Sequence, residues 1–180
     1  MNGMRRQMYE LPTDPEAVGE GDTYFILAGY SWRRAEFAIW TLHFDRSIDA
    51  FTFRPATPWP GVNGYRLLAV AGDSVPDAKT RLTKALRAAG KLTTGGLDME
   101  PLAVLRDMIR ESVDPAIGGA PQVAKIYKHM NVTTFGVFWP NRQSAQVTFL
   151  GRELLHFEEL HTGIIDPDTF AIEPATARPA

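Results

Sequence analysis

A chain of 180 residues, 44% hydrophobic and 22% charged, has the length and composition of one globular domain with a core of its own. A formal net charge of -2 and a pI of about 6.1 exclude an electrostatic reason to bind nucleic acid, and basic residues adjoin only at Arg5-Arg6 and Arg33-Arg34. The absence of cysteine excludes a disulfide framework, zinc–thiolate sites and thiol catalysis.

Residues 1–22 read as a mobile lead-in, with Pro12, Pro15, Gly19 and Gly21 as breakers. Pro12, Asp14, Pro15 and Glu16 also interrupt any signal-like apolar stretch. No apolar run approaches the ~20 residues of a membrane span. The expectation is a cytoplasmic protein with neither a membrane nor a nucleic-acid partner. A single α/β domain is expected over residues 23–173, followed by an Ala/Pro-rich tail over 174–180.

Tyr24 to Ala28 predicts a buried strand ending at Gly29, and Phe37 to Asp45 a second strand that is apolar on nearly both faces. A plain hairpin turn carrying Ser31, Trp32 and Arg33-Arg34 joins them. Ala50 to Arg54 makes a third strand, before a loop with Pro55, Pro58, Pro60, Gly61 and Gly64. Arg66 to Ala71 reads as a fourth strand, closed by Gly72-Asp73. Ser74 then suits an N-cap, with Asp77 three residues on, Pro76 in the first turn and Gly90 as the stop. Val75, Ala78, Leu82, Ala85, Leu86 and Ala89 recur at helical spacing.

Gly95-Gly96 loops into a second helix capped by Asp98, striped by Leu102, Leu105, Ile109 and Val113, and ended at Asp114-Pro115. Gly118-Gly119 turns the chain into a strand over Val123 to Tyr127. Thr133 to Trp139 and Ala145 to Leu150 predict a hairpin across Pro140-Asn141, and Glu153 to Leu160 fits either a strand or a short helix. Strands, two consecutive helices and then strands make a layered α/β (α+β) order, with antiparallel sheets and a two-helix layer.

Specific residues add a resemblance. Phe25-Ile26-Leu27-Ala28-Gly29-Tyr30, followed by a strand ending in Phe44-Asp45, resembles the mid-chain strand pair of proteasome-type subunits. Leu68-Ala69-Val70-Ala71-Gly72-Asp73-Ser74, leading to Ala78 and Leu82, resembles the strand, glycine turn and helix that follow there. Asp114, Gly118-Gly119 and Val123-Ala124-Lys125-Ile126 are similar to the family's acidic-glycine turn and returning strand. The family is the proteasome-like N-terminal-nucleophile hydrolases, and the likeness spans Thr23 to about Ile172, covering only the second half of that fold. It implies part of an αββα sandwich, with Gly72, Asp73, Asp114, Gly118 and Gly119 as the motif positions.

The departures are informative. The family attacks with a residue exposed at the chain's own N-terminus, assisted by a nearby lysine. Met1 or Asn2 would stand there, and neither attacks a carbonyl. Asp73 and Ile117 occupy positions where the family carries serines. Thr23 would serve only after cleavage behind Asp22, and no lysine matches the family's base. Gly72-Asp73-Ser74 also resembles the nucleophile block of GDSL-type esterases, but no Asp-x-x-His follows, so Ser74 reads better as a cap.

His156, Glu158, Glu159 and His161 cluster four metal-ligand types, yet neither helix nor strand spacing aligns three of them, so they read as a solvated face. His43 and His129 stand alone. The expectation is a chain without a catalytic set, cofactor or metal, acting as a structural or assembly component of proteasome type. The alternative is half of a split hydrolase whose nucleophile lies on a partner. One helix pair can cover only one sheet face, so a second copy or a second protein is expected on the other.

Overall fold

The computed structural model describes residues 24–56, 68–92, 97–112, 114–129 and 131–175. Expectations placed on the lead-in, Thr23, the loop at Pro58 to Gly64, Gly95-Gly96, Val113 and the last five residues lie outside them. The α/β class holds: two sheets accompany two helices.

The first sheet runs β1 (Tyr24–Ser31), β2 (Glu36–Asp45) and β3 (Ala50–Pro55), in that order and fully antiparallel. A hairpin turn over Trp32–Ala35 joins β1 to β2, and the Arg34 amide donates to Ser31 Oγ at 3.3 Å. Leu27 faces Trp40, and Leu42 faces Phe53. Directly opposed residues share a face. One face therefore carries Phe25, Leu27, Trp40, Leu42, Phe44, Phe51 and Phe53, and the other carries Tyr24, Ile26, Thr41, His43 and Thr52.

Helix α1 (Val75–Ala88) begins where Pro76 and Asp77 suit a first turn, and it ends in a Schellman arrangement. The Lys91 amide donates to Leu86 O at 2.8 Å and the Gly90 amide to Arg87 O at 3.1 Å, with Gly90 at φ +67°. Leu82 and Leu86 are buried against Leu68, Leu92, Leu97 and Val104. Each such leucine stabilises the fold by roughly 1.5–3 kcal/mol.

Helix α2 (Glu100–Glu111) starts two residues later than its expected Asp98 cap. Asp98 instead accepts from Lys91 Nζ at 2.7 Å, while its amide donates to Glu100 at 2.8 Å. The buried residue of α2 is Met108, while Leu105 of the expected stripe stays 38% exposed.

The fourth expected strand does not form where it is described. Leu68 to Ala71 pair with no strand, and Leu68 turns its side chain into the α1 core. The apolar run is satisfied there by packing on a helix rather than by a ladder.

The second sheet holds β4 (Val123–Ile126), β5 (Val132–Phe138), β6 (Val147–Phe149), β7 (Arg152–Glu153), β8 (Ile164–Ile165) and β9 (Ile172–Glu173). Its path is β7-β6-β5-β8-β9, with β4 also on β5. The expected hairpin across Pro140-Asn141 is β5–β6, with a cis Trp139-Pro140 bond. Glu153 to Leu160 is neither strand nor helix beyond Glu153. The sheet is mixed rather than purely antiparallel, because β8 runs parallel to β5. Val137 and Ile165 are each 1% exposed at that pairing.

A turn over residues 166–169 locks α2 to this sheet. Arg106 Nη1 donates to Pro167 O at 2.7 Å, and Arg110 Nη1 donates to Asp168 Oδ1 at 2.6 Å. That bond raises the Arg110 pKa and lowers that of Asp168. Burial pushes Asp166 up, but the Asp168 amide and the Thr169 hydroxyl outweigh it and hold its carboxyl below the aspartate range.

Candidate functional site

The two motif turns meet. Ser74, just ahead of α1, donates its hydroxyl to Asp114 Oδ2 at 2.5 Å, across 40 residues of chain. Ser74 therefore makes no side-chain cap bond to α1, which corrects the expectation of a capping role. Asp77 does not complete a capping box either, since its carboxylate accepts from Arg81 Nε at 2.8 Å. Asp114 also accepts from the Ala116 amide at 2.9 Å through Oδ1. The Ser74 hydroxyl and the Ala116 amide together hold the Asp114 carboxyl below its ordinary range.

In this arrangement the serine hydroxyl is held as a donor to the carboxylate. A carboxylate with a lowered pKa is a weak base, and general-base efficiency falls as basicity falls. Among the described residues no histidine or lysine is bonded to Ser74. The bond is a clasp that ties the entry of α1 to the exit of α2.

Gly72 sits at φ +127°, and a Cβ there would meet nothing within 4 Å. Glycine is required by the backbone alone at this turn. Gly119, at φ +75°, has the same requirement. Gly118 does not, since it lies outside the left-handed region in open space. Of the Gly118-Gly119 turn, Gly119 is therefore the residue whose backbone calls for glycine.

Beside the clasp lies a half-open cavity of about 300 Å³, lined by residues of β1, the turn before α1, and both helices. Ile26, Val70, Leu82, Val104, Met108 and Ile117 give it an apolar wall, and among the described residues Asp73 is the one charged residue lining it. Ile117 and Leu105 also line a more open groove that continues past Gly118 to Gln122. Asp73, Asp114 and Gly118 thus gather around one end of the helix pair, although they lie far apart in the chain.

The histidine cluster does not converge. Glu158 is taken by Arg152, whose Nη1 donates at 2.7 Å, and this holds its carboxyl down to about 2. His156, Glu159 and His161 are exposed, and no group of three or more metal-ligating side chains forms among the described residues. His43 stacks on Tyr24 and lies 3.0 Å from Thr52 Oγ1 through Nε2, a cross-strand role within the first sheet. His129 is exposed. Among the described residues no helix is long and apolar enough to cross a membrane.

Sequence reasoning missed the cavity and the clasp. The sequence signals were the isolated Ser74 and Asp114 at the two ends of a helix pair, whose antiparallel packing brings such ends together. No protein-family profile, characterised protein or solved structure matches the chain.

Proposed function

We propose that the chain is a non-catalytic structural or assembly subunit of the cytoplasm, related in design to half of a proteasome-type fold, that associates with a second copy of itself. The observation that carries this reading is the outer face of the first sheet. Phe25, Leu27, Trp40, Leu42, Phe44, Phe51 and Phe53 share that face, and none of the seven is buried. Leu27 is 58% and Phe53 66% exposed. Soluble monomers rarely leave an apolar patch larger than a few hundred Å² in water.

Ile26 lines the cavity shared with the helices, so it is the opposite face of the sheet that looks toward α1 and α2. The outer face carries a charge only at its end, at Glu36 beside Ser31. A neutral apolar surface is complementary to an identical one, which a two-fold pairing supplies without any further partner. The engagement of Ser74 by Asp114 alone supports the non-catalytic part of the reading.

Light scattering at low micromolar concentration tests this. The wild type is expected as a dimer or a larger closed assembly, and Leu27→Asp as a folded 20.0 kDa monomer. A monodisperse wild-type monomer with well-dispersed spectra would remove the reading.

The meeting of the two motif turns beside a cavity favours a second reading, in which the chain is half of a split hydrolase. Co-purification would then recover a partner with an N-terminal Thr, Ser or Cys, and turnover of a peptide or ester panel would appear only in the mixture.

A further inference from the structure

The cavity beside the clasp has a chemistry of its own. Its volume of about 300 Å³ lies at the lower end of the range for small-molecule sites, roughly 300–1,000 Å³. Its wall is apolar from Ile26 on β1 to Met108 on α2, so its occupant needs an apolar body.

The polar edge is equally one-sided. The Ser74 hydroxyl is committed to Asp114 and offers a ligand no donor. Asp73 is exposed, lines the cavity, and has no hydrogen bond or ion pair among the described residues. No basic residue lines the space among the described residues. An anionic ligand would meet the Asp73 carboxylate, whereas a cation at that edge would be paired with it.

We propose that this cavity binds a small lipophilic primary amine, with its apolar body between β1 and the two helices and its ammonium against the Asp73 carboxylate. The site lies on the opposite side of the first sheet from the proposed self-interface, so the two readings stand or fall separately.

Three probes of one shape test it: 4-phenylbutylamine, 4-phenylbutanol and 4-phenylbutyrate, titrated into the full chain while the methyl signals of Ile26, Leu82 and Ile117 are followed. The amine is expected to shift those methyls and to bind about fivefold tighter than the alcohol, the effect of one solvent-exposed charge pair, with the acid weakest. Asp73→Asn, at an exposed position, should abolish the preference while leaving the alcohol's affinity unchanged. Equal affinity for all three probes, a preference that survives Asp73→Asn, or methyl signals that do not move would each overturn the assignment.

Discussion

The two sheets of this protein have similar appetites for burial and opposite outcomes. In the second sheet the short pairing of β5 with β8 places Val137 and Ile165 at 1% exposure, and Arg106 and Arg110 hold α2 against the adjoining turn. In the first sheet, longer strands with more aromatic residues bury only Ala38. Strand length and hydrophobicity therefore do not decide which sheet becomes core. What decides is whether the chain brings a second layer to the face, and both helices lie toward the other face of the first sheet. The stability of the second sheet and the α1 core belongs to the chain, whereas under the proposed self-pairing that of the first sheet's outer face would depend on association and so on concentration.

That contrast is easiest to break with matched leucines. Leu86→Ala, at a fully buried position in α1, should cost about 2–5 kcal/mol by denaturant unfolding. Leu27→Ala should change the stability of the dilute, dissociated chain by only about 0.5 kcal/mol, as surface substitutions do. Comparable losses at both sites would mean that the first sheet is packed within its own chain.

The glycine turns give a smaller effect. Gly72→Val should lower stability by roughly 1–3 kcal/mol, several degrees in melting temperature. Because no atom stands near the position of the missing Cβ, Gly72→Ala should cost nearly as much. Gly118→Ala should leave the melt almost unchanged. A large gap between Val and Ala at position 72 would point to a clash rather than to backbone strain.

The clasp should give the smallest effect, recognisable by its pH dependence. The Asp114 pKa is depressed in the fold, so its stabilisation is present above the unfolded value and is lost as pH falls through the folded one. Ser74→Ala should therefore melt slightly lower than wild type at pH 7, and the difference should close as pH drops below about 4. A difference that persists unchanged at pH 2 would show that the Ser74 hydroxyl acts through something other than the Asp114 carboxylate.

Much of the fold was legible in the sequence where the signal is local. Pro76, the apolar spacing from Val75 to Leu86, and Gly90 placed α1 to within about a residue at each end. The β1–β2 and β5–β6 hairpins followed from apolar runs and turn residues, but the expected burial of β1 did not hold, since Tyr24 to Ala28 are exposed. The strands β8 and β9 were not legible, because two residues are too few to show a period. The parallel β5–β8 pairing was hidden for the same reason. Ser74 looked like a cap because local chemistry allows it, and Asp114 won the hydroxyl through a contact that only tertiary structure creates. Of the candidate site, Gly72, Asp73 and Asp114 were visible as residues, but the bond of Ser74 to Asp114 beside a cavity lined by Asp73 was not.

The central claim is that the outer face of the first sheet is a self-interface, and the lack of cysteine allows a direct measurement. Ser47→Cys, in the exposed β2–β3 turn, and separately Lys84→Cys, on the exposed side of α1, can each be spin-labelled and their intermolecular distances measured by pulsed electron resonance. The account predicts a short, narrow distance at position 47 and a much longer one at position 84, since α1 lies on the far side of the sheet. A shorter distance at position 84 than at 47, or no intermolecular distance at either, would contradict it.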